Sequence, residues 1–183
     1  MCRACTTSSA TSNGLRRTDF EKGSRVADSA LTEAERRLLL ELNAREVRFI
    51  IVDASAALLQ GANTATQDID LWFASTTDAA LAEAVTAAGG IWVSGSFGMM
   101  PPAIGGDALG DRFDVVVHMH GLGAFDAEHQ NALQMTIDGV PVRVLPLERI
   151  IASKRATGRP RDQAQLPALE EALAALRGTT PKR

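Results

Sequence analysis

The stretch V-R-F-I-I-V-D-A-S-A-A-L-L-Q-G-A-N-T-A-T-Q-D-I-D-L-W-F runs from Val47 to Phe73, and its reading decides the fold. Val47 to Val52 is short, β-branched and almost wholly apolar, which predicts a strand covered on both faces. Ala54 to Gln60 is small and helix-favouring and stops at Gly61, so a short helix is expected. Ala62 to Gln67 is a polar connection into a second predicted strand, Asp68 to Phe73. Side chains alternate along a strand, so Asp68 and Asp70 point one way while Ile69 and Leu71 point into the opposite, buried layer.

Working upstream, Thr32-Glu33-Ala34-Glu35 has the spacing of a capping box, and Leu38, Leu39 and Leu42 then recur on one helical face. Downstream, Thr77 to Ala88 predicts an Ala-rich helix closed by Gly89-Gly90, and Ile91 to Ser94 a strand. Gly95 to Gly110 is rich in Gly and Pro and is expected to be a loop. Arg112 to Met119 predicts a strong strand, and Leu133 to Ile137 and Val142 to Leu145 flank the hairpin-type turn Asp138-Gly139. Helices are expected over Leu147 to Ala156 and, with Pro160 in the first turn, Pro160 to Leu176. This alternation indicates an α/β or α+β fold, a mixed sheet flanked by helices, in a single domain over residues 31–178. Residues 1–30 are poor in large apolar side chains and read as a flexible tail, with a short C-terminal tail over 179–183.

Composition narrows the partners. The chain has 183 residues, a formal charge of -3, and 4% aromatic residues with no Tyr, so small aliphatics must fill the core. No global basic footprint announces nucleic acid, which would need a local patch. Arg16, Arg17, Lys22 and Arg25 of the tail are expected to be solvated. Cys2 and Cys5 have no second pair and no nearby His, so they read as incidental. No apolar run nears the ~20 residues of a membrane-spanning helix and no signal segment is evident, so a cytoplasmic, membrane-free protein is expected.

The chemistry lies in the acids. Two converging carboxylates repel, and holding both ionised requires a cation or a shared proton. Mg²⁺ suits them, being a hard ion held by one or two carboxylates with waters and substrate phosphates. Asp114 is the expected third acid, because an ionised group near the start of the apolar run F-D-V-V-V would be buried and costly without a partner. Asp111 is assigned to the preceding loop. Lys154 has both an amphipathic surface reading and a phosphate-binding one, and Arg155, Arg159 and Arg161 share the bend that follows it. Asp162 is expected to cap or to pair with an arginine. His118 and His120 share a strand face and read as strand-end polar residues, and Trp72 and Trp92 as core.

A strand, a small-residue helix and then D-I-D resemble the minimal nucleotidyltransferase superfamily. F-D-V-V-V and L-E-R-I-I-A-S-K-R-A-T-G-R-P-R-D, Leu147 to Asp162, look closest to its bacterial toxin-like branch, the AbiEii and MenT-type enzymes. The resemblance spans roughly residues 47–176. It implies an Mg²⁺-dependent transfer of NMP from an NTP, ATP among the candidates, to a tRNA 3′ end or a protein hydroxyl. It also implies a toxin with a cognate antitoxin. Asp68, Asp70 and Asp114 would be the metal-binding and catalytic acids, Lys154 would be catalytic and hold phosphate, and Ser55, Thr66 and Arg159 would line the nucleotide. The chain departs from the family at two points. Asp53-Ala54, or Ala54-Ser55 if a Gly-Ser form is aligned one residue later, stands where relatives have a glycine pair, and Thr64 where they often have an Arg. These departures motivate a second reading, a catalytically degenerate binding module on the same fold.

Overall fold

The computed structural model describes residues 30–95 and 100–178. The Cys2-Cys5 pair, the basic tail and the C-terminal tail lie outside the described residues. The chain first enters α1 (Glu33–Ala44) through the expected capping box: Glu35 N–H donates to the Thr32 hydroxyl at 3.2 Å, and Thr32 N–H donates to the Glu35 carboxylate at 2.8 Å. Two of the orphan N–H groups of the first turn are thereby satisfied. Leu38, Leu39 and Leu42 face inward and are fully buried.

The expected apolar strand is β1 (Phe49–Ile51), followed by α2 (Asp53–Leu59) and β2 (Ile69–Phe73). After α3 (Ala79–Ala87) comes β3 (Ile91–Val93), which pairs antiparallel with β4 (Ala103–Gly105) in a separate ribbon. Then follow β5 (Phe113–Val116), α4 (Phe125–Asn131), the hairpin β6 (Leu133–Ile137) and β7 (Val140–Val144), and the helices α5 (Leu147–Thr157) and α6 (Pro160–Leu176). The main sheet has the order β5-β2-β1-β7-β6. β1 runs antiparallel to β2 and parallel to β7, and β2 runs parallel to β5. The mixed sheet flanked by helices is therefore as expected. β1 lies at its centre, with Ile50 and Ile51 fully buried, each burial stabilising by about 1.5–3 kcal/mol.

Three expectations are corrected. The Gly-Pro stretch is not wholly loop, because Ala103, Ile104 and Gly105 form β4 against β3. α4 carries no long apolar period and was not expected; it is short, and its Phe125 packs edge-on against Trp72 with ring centroids 5.3 Å apart. β5 is shorter than the apolar run around it, and it is an edge strand. Asp114 on it is exposed rather than buried, because an edge strand has no neighbour to exclude water on one side.

Candidate active site

The acids meet where β1 ends and β2 begins. Thr66 Oγ1 accepts from the Asp68 N–H at 3.2 Å and donates to the Asp68 carbonyl at 3.1 Å, fixing the backbone as it enters β2. Two residues on, Asp70 stands in parallel register with Asp114 across β2 and β5. The two residues of a register pair project to the same side of a sheet, so Asp70 and Asp114 share one face; Asp68 lies not in the strand, as expected, but in the bend that leads into β2, and its charge acts on Asp114.

Burial and neighbouring acids dominate the electrostatics of this face. Burial pushes the Asp70 carboxyl up to about 6, with the Asp53 and Asp114 charges adding to the shift and the Ser55 hydroxyl opposing it. Asp114 is also raised, by desolvation and then by Asp68 and Asp111, while Arg161 pulls it down. Among the described residues no three acid or imidazole side chains close on one point. Asp68 and Asp70 are half-buried and Asp114 is exposed. Such a donor set fits Mg²⁺, which takes few protein oxygens and fills its octahedron with waters and phosphate.

Ser55, the third residue of α2, is buried and occupied. Its hydroxyl donates to the Val52 carbonyl at 2.8 Å, lies 3.2 Å from Asp70 Oδ2, and accepts from the Asp70 N–H at 3.1 Å. It braces Asp70 from behind the acid face. Lys154 is buried too, at 4% exposure, and its ammonium is bound by the Asp53 carboxylate and, at 3.3 Å, by Asp162 Oδ1. The Thr157 hydroxyl donates to the other Asp162 oxygen at 2.6 Å. Thr157, Lys154 and Arg159 together hold the Asp162 carboxyl below its ordinary value, although burial opposes them. Asp162 thus pairs with a lysine and a threonine rather than the expected arginine. Arg159, at the start of α6, is exposed.

Asp53 was read only as a departure from the family, yet it is central to this arrangement. Its φ is +50°, in the left-handed region that L side chains other than Asn and Asp rarely adopt. A glycine would adopt this conformation without strain. Asp tolerates the conformation, and its charge reaches Asp70 on one side and Lys154 on the other. His118 and His120 lie beyond β5, exposed, with ring centroids 4.9 Å apart. Trp72 is core, as expected.

No family model and no curated protein matches the chain. Solved structures do. The solution structure of the antibiotic-resistance factor ANT(2'')-Ia, an aminoglycoside nucleotidyltransferase, superposes with a TM-score of 0.52 at 20% identity, covering 78% of this chain and 82% of that one. The crystal structure of ANT(2'')-Ia in complex with adenylyl-2''-tobramycin gives 0.51 at 21% identity, covering 77% and 86%. The fold is that of a nucleotidyltransferase. This likeness is one of fold and does not single out the AbiEii and MenT-type branch. No helix among the described residues is long and apolar enough to cross a membrane.

Proposed function

We propose that the chain is an Mg²⁺-dependent nucleotidyltransferase that moves an NMP from an NTP to an acceptor hydroxyl. The observation that carries this reading is the pairing of Asp70 with Asp114 across β2 and β5, with Asp68 acting on Asp114 and the Asp70 and Asp114 carboxyls both raised. These acids would hold Mg²⁺, which when bound supplies positive charge for the triphosphate and makes the acceptor hydroxyl more acidic. The acceptor oxygen bonds to the α-phosphorus as the α–β bridging bond breaks and pyrophosphate leaves. Asp114, exposed at the sheet edge with a raised pKa, is the base that takes the hydroxyl proton. Ser55 keeps Asp70 aimed at the face. Thr66 sets the backbone of Asp68. Arg159 and Arg161, exposed at the start of α6, offer guanidinium groups to the leaving phosphates.

By resemblance the acceptor is a tRNA 3′ end or a protein hydroxyl and the protein is a toxin with an antitoxin partner, working in the cytoplasm. The fold neighbour bound to adenylyl-2''-tobramycin adds an aminoglycoside hydroxyl to the acceptors that a test must include. A second reading, a degenerate binding module, is favoured by one observation: Lys154, the expected phosphate ligand, is tied to Asp53 and Asp162. The deciding experiment incubates the protein with Mg²⁺ and each α-labelled NTP, in the presence of total tRNA, cell lysate or an aminoglycoside. Label should pass to one of these pools with wild type and not with Asp68→Ala/Asp70→Ala. A folded wild type that labels none of them supports the binding module.

A further inference from the structure

β1 leads from a second concave surface to the acid face. At its N-terminal end a groove of about 410 Å³ opens between the end of α1, the end of α4, and the β6 and β7 strands. Its walls are apolar at Val47, Phe49 and Val142, and its polar groups include Arg48, Arg143, His129, Asn43 and Gln134. A groove of this size accommodates a small organic molecule.

Arg143 is half-buried, and its bond is to a neutral group: Nη1 donates to the His129 carbonyl at 3.1 Å. That bond closes the end of α4, and it uses one of five guanidinium donors. Arg143 forms no ion pair with a carboxylate among the described residues. Arg48 also lines the groove and is held in place, its guanidinium 5.6 Å over the Phe125 ring and paired with Asp126. Phe125 in turn stacks on His129 with centroids 5.3 Å apart. The Asp126 side chain is 68% exposed, so that pair is solvated and weakly binding. Glu46 lines the groove and is itself exposed. Both arginines lie close enough to act on His129, whose imidazole is pushed below its ordinary pKa by burial, then by Arg143 and Arg48, with Asp126 opposing.

We propose that this groove is a second ligand site, which takes a phosphomonoester between the Arg143 and Arg48 guanidiniums, separate from the acid face. Guanidinium forks match the geometry of phosphate oxygens, and the Asn43 and Gln134 amides supply further donors beside them. The phosphate is borne by a small metabolite or by a nucleic-acid end, chemically the same group.

The three histidines of the chain make the test direct. Their imidazole resonances in the full-length protein are followed during titration with inorganic phosphate, AMP, and oligonucleotides with and without a 5′-phosphate. The His129 resonance should shift saturably while those of His118 and His120 stay fixed. The response should persist in Asp68→Asn/Asp70→Asn, which separates it from any failure at the acid face. Arg143→Gln should weaken it at least about tenfold, with Arg48→Gln as a second variant should that protein not fold. A preference for AMP identifies the metabolite source, and a preference for the 5′-phosphorylated oligonucleotide the nucleic-acid source. No saturable His129 shift up to about 10 mM of any probe overturns the site. So does unchanged affinity in the arginine variants, or loss of the response together with the acids.

Discussion

Two carboxylates of this chain, Glu128 and Asp70, are both withdrawn from water but are treated in opposite ways. Glu128, on α4, accepts from Arg149 through both oxygens and from the Gly123 N–H at 3.0 Å, and its carboxyl is held below its ordinary value by those bonds against burial. Asp70 has a serine behind it and acids around it, and its carboxyl is raised. Around α4, α5 and α6 each buried charge has an opposite charge: Glu128 has Arg149, and Lys154 has Asp53 and Asp162. Pairing of that kind holds helices in place. The face at β2 and β5 gathers like charges instead, opposed by Arg161 at Asp114, a cost that a cation bound under the proposed function would offset.

The largest effect should come from emptying the unpaired region. Asp68→Ala/Asp70→Ala should lower labelled NMP transfer about a thousandfold or more while the protein stays folded, with a thermal midpoint no lower than wild type, as initial rates and calorimetry would show. Breaking the paired region should do the reverse to stability: Lys154→Met leaves Asp162 buried without its cation and should cost about 3 kcal/mol in urea unfolding. If that variant unfolds like wild type, the pairing carries no weight and the contrast fails.

A smaller change sharpens the comparison through pH. The Asp70 pKa is raised from 3.8 to about 6 in the folded protein, so ionisation there opposes folding, the reverse of the usual carboxylate. The penalty is absent below the unfolded value, grows between pH 4 and 6, and is complete above. Asp70→Asn should accordingly stabilise the metal-free protein by about 2 kcal/mol at pH 7.5, with the gain vanishing below pH 4. Added Mg²⁺ should narrow the difference by stabilising wild type alone. Smallest of all, Asp53→Asn keeps a residue that tolerates φ +50° while releasing Lys154 from one of its two partners. It should tighten NTP binding severalfold, or about 1 kcal/mol, by titration calorimetry; weaker binding would assign Asp53 to the site itself.

Most of the architecture was legible because it follows from local chemistry. The capping box at Thr32, the stop at Gly61, the Asp138-Gly139 turn with positive φ at both residues, and Pro160 at the first position of α6 each act within a few residues. What was not legible depends on distant neighbours. Nothing in F-D-V-V-V says that β5 is an edge strand, so the exposure of Asp114 could not be read from it. Ser55 is followed by apolar residues in a small-residue helix, and only the approach of β2 turns its hydroxyl toward Asp70. The bond between Lys154 and Asp53 joins residues 101 positions apart. The signal that could have found Asp53 was its alignment with a family glycine, read as a demand on φ rather than on phosphate access.

The central position of β1 also governs how the chain is made. Its partner β2 follows within a few turns of synthesis, since Ile51 pairs with Leu71, but its other partner, Val144 on β7, lies about 90 residues further along. At ribosomal speeds of about 5–20 residues per second, a strand of Phe49, Ile50 and Ile51 waits roughly 5–20 s with one edge open. During that interval the nascent chain offers an unsatisfied hydrophobic ribbon to any passing strand. Yield in a cell is therefore set by how well that edge is sheltered before β7 arrives, and slower translation through residues 75–140 should cost soluble protein more than it would in a chain whose central strand is completed early.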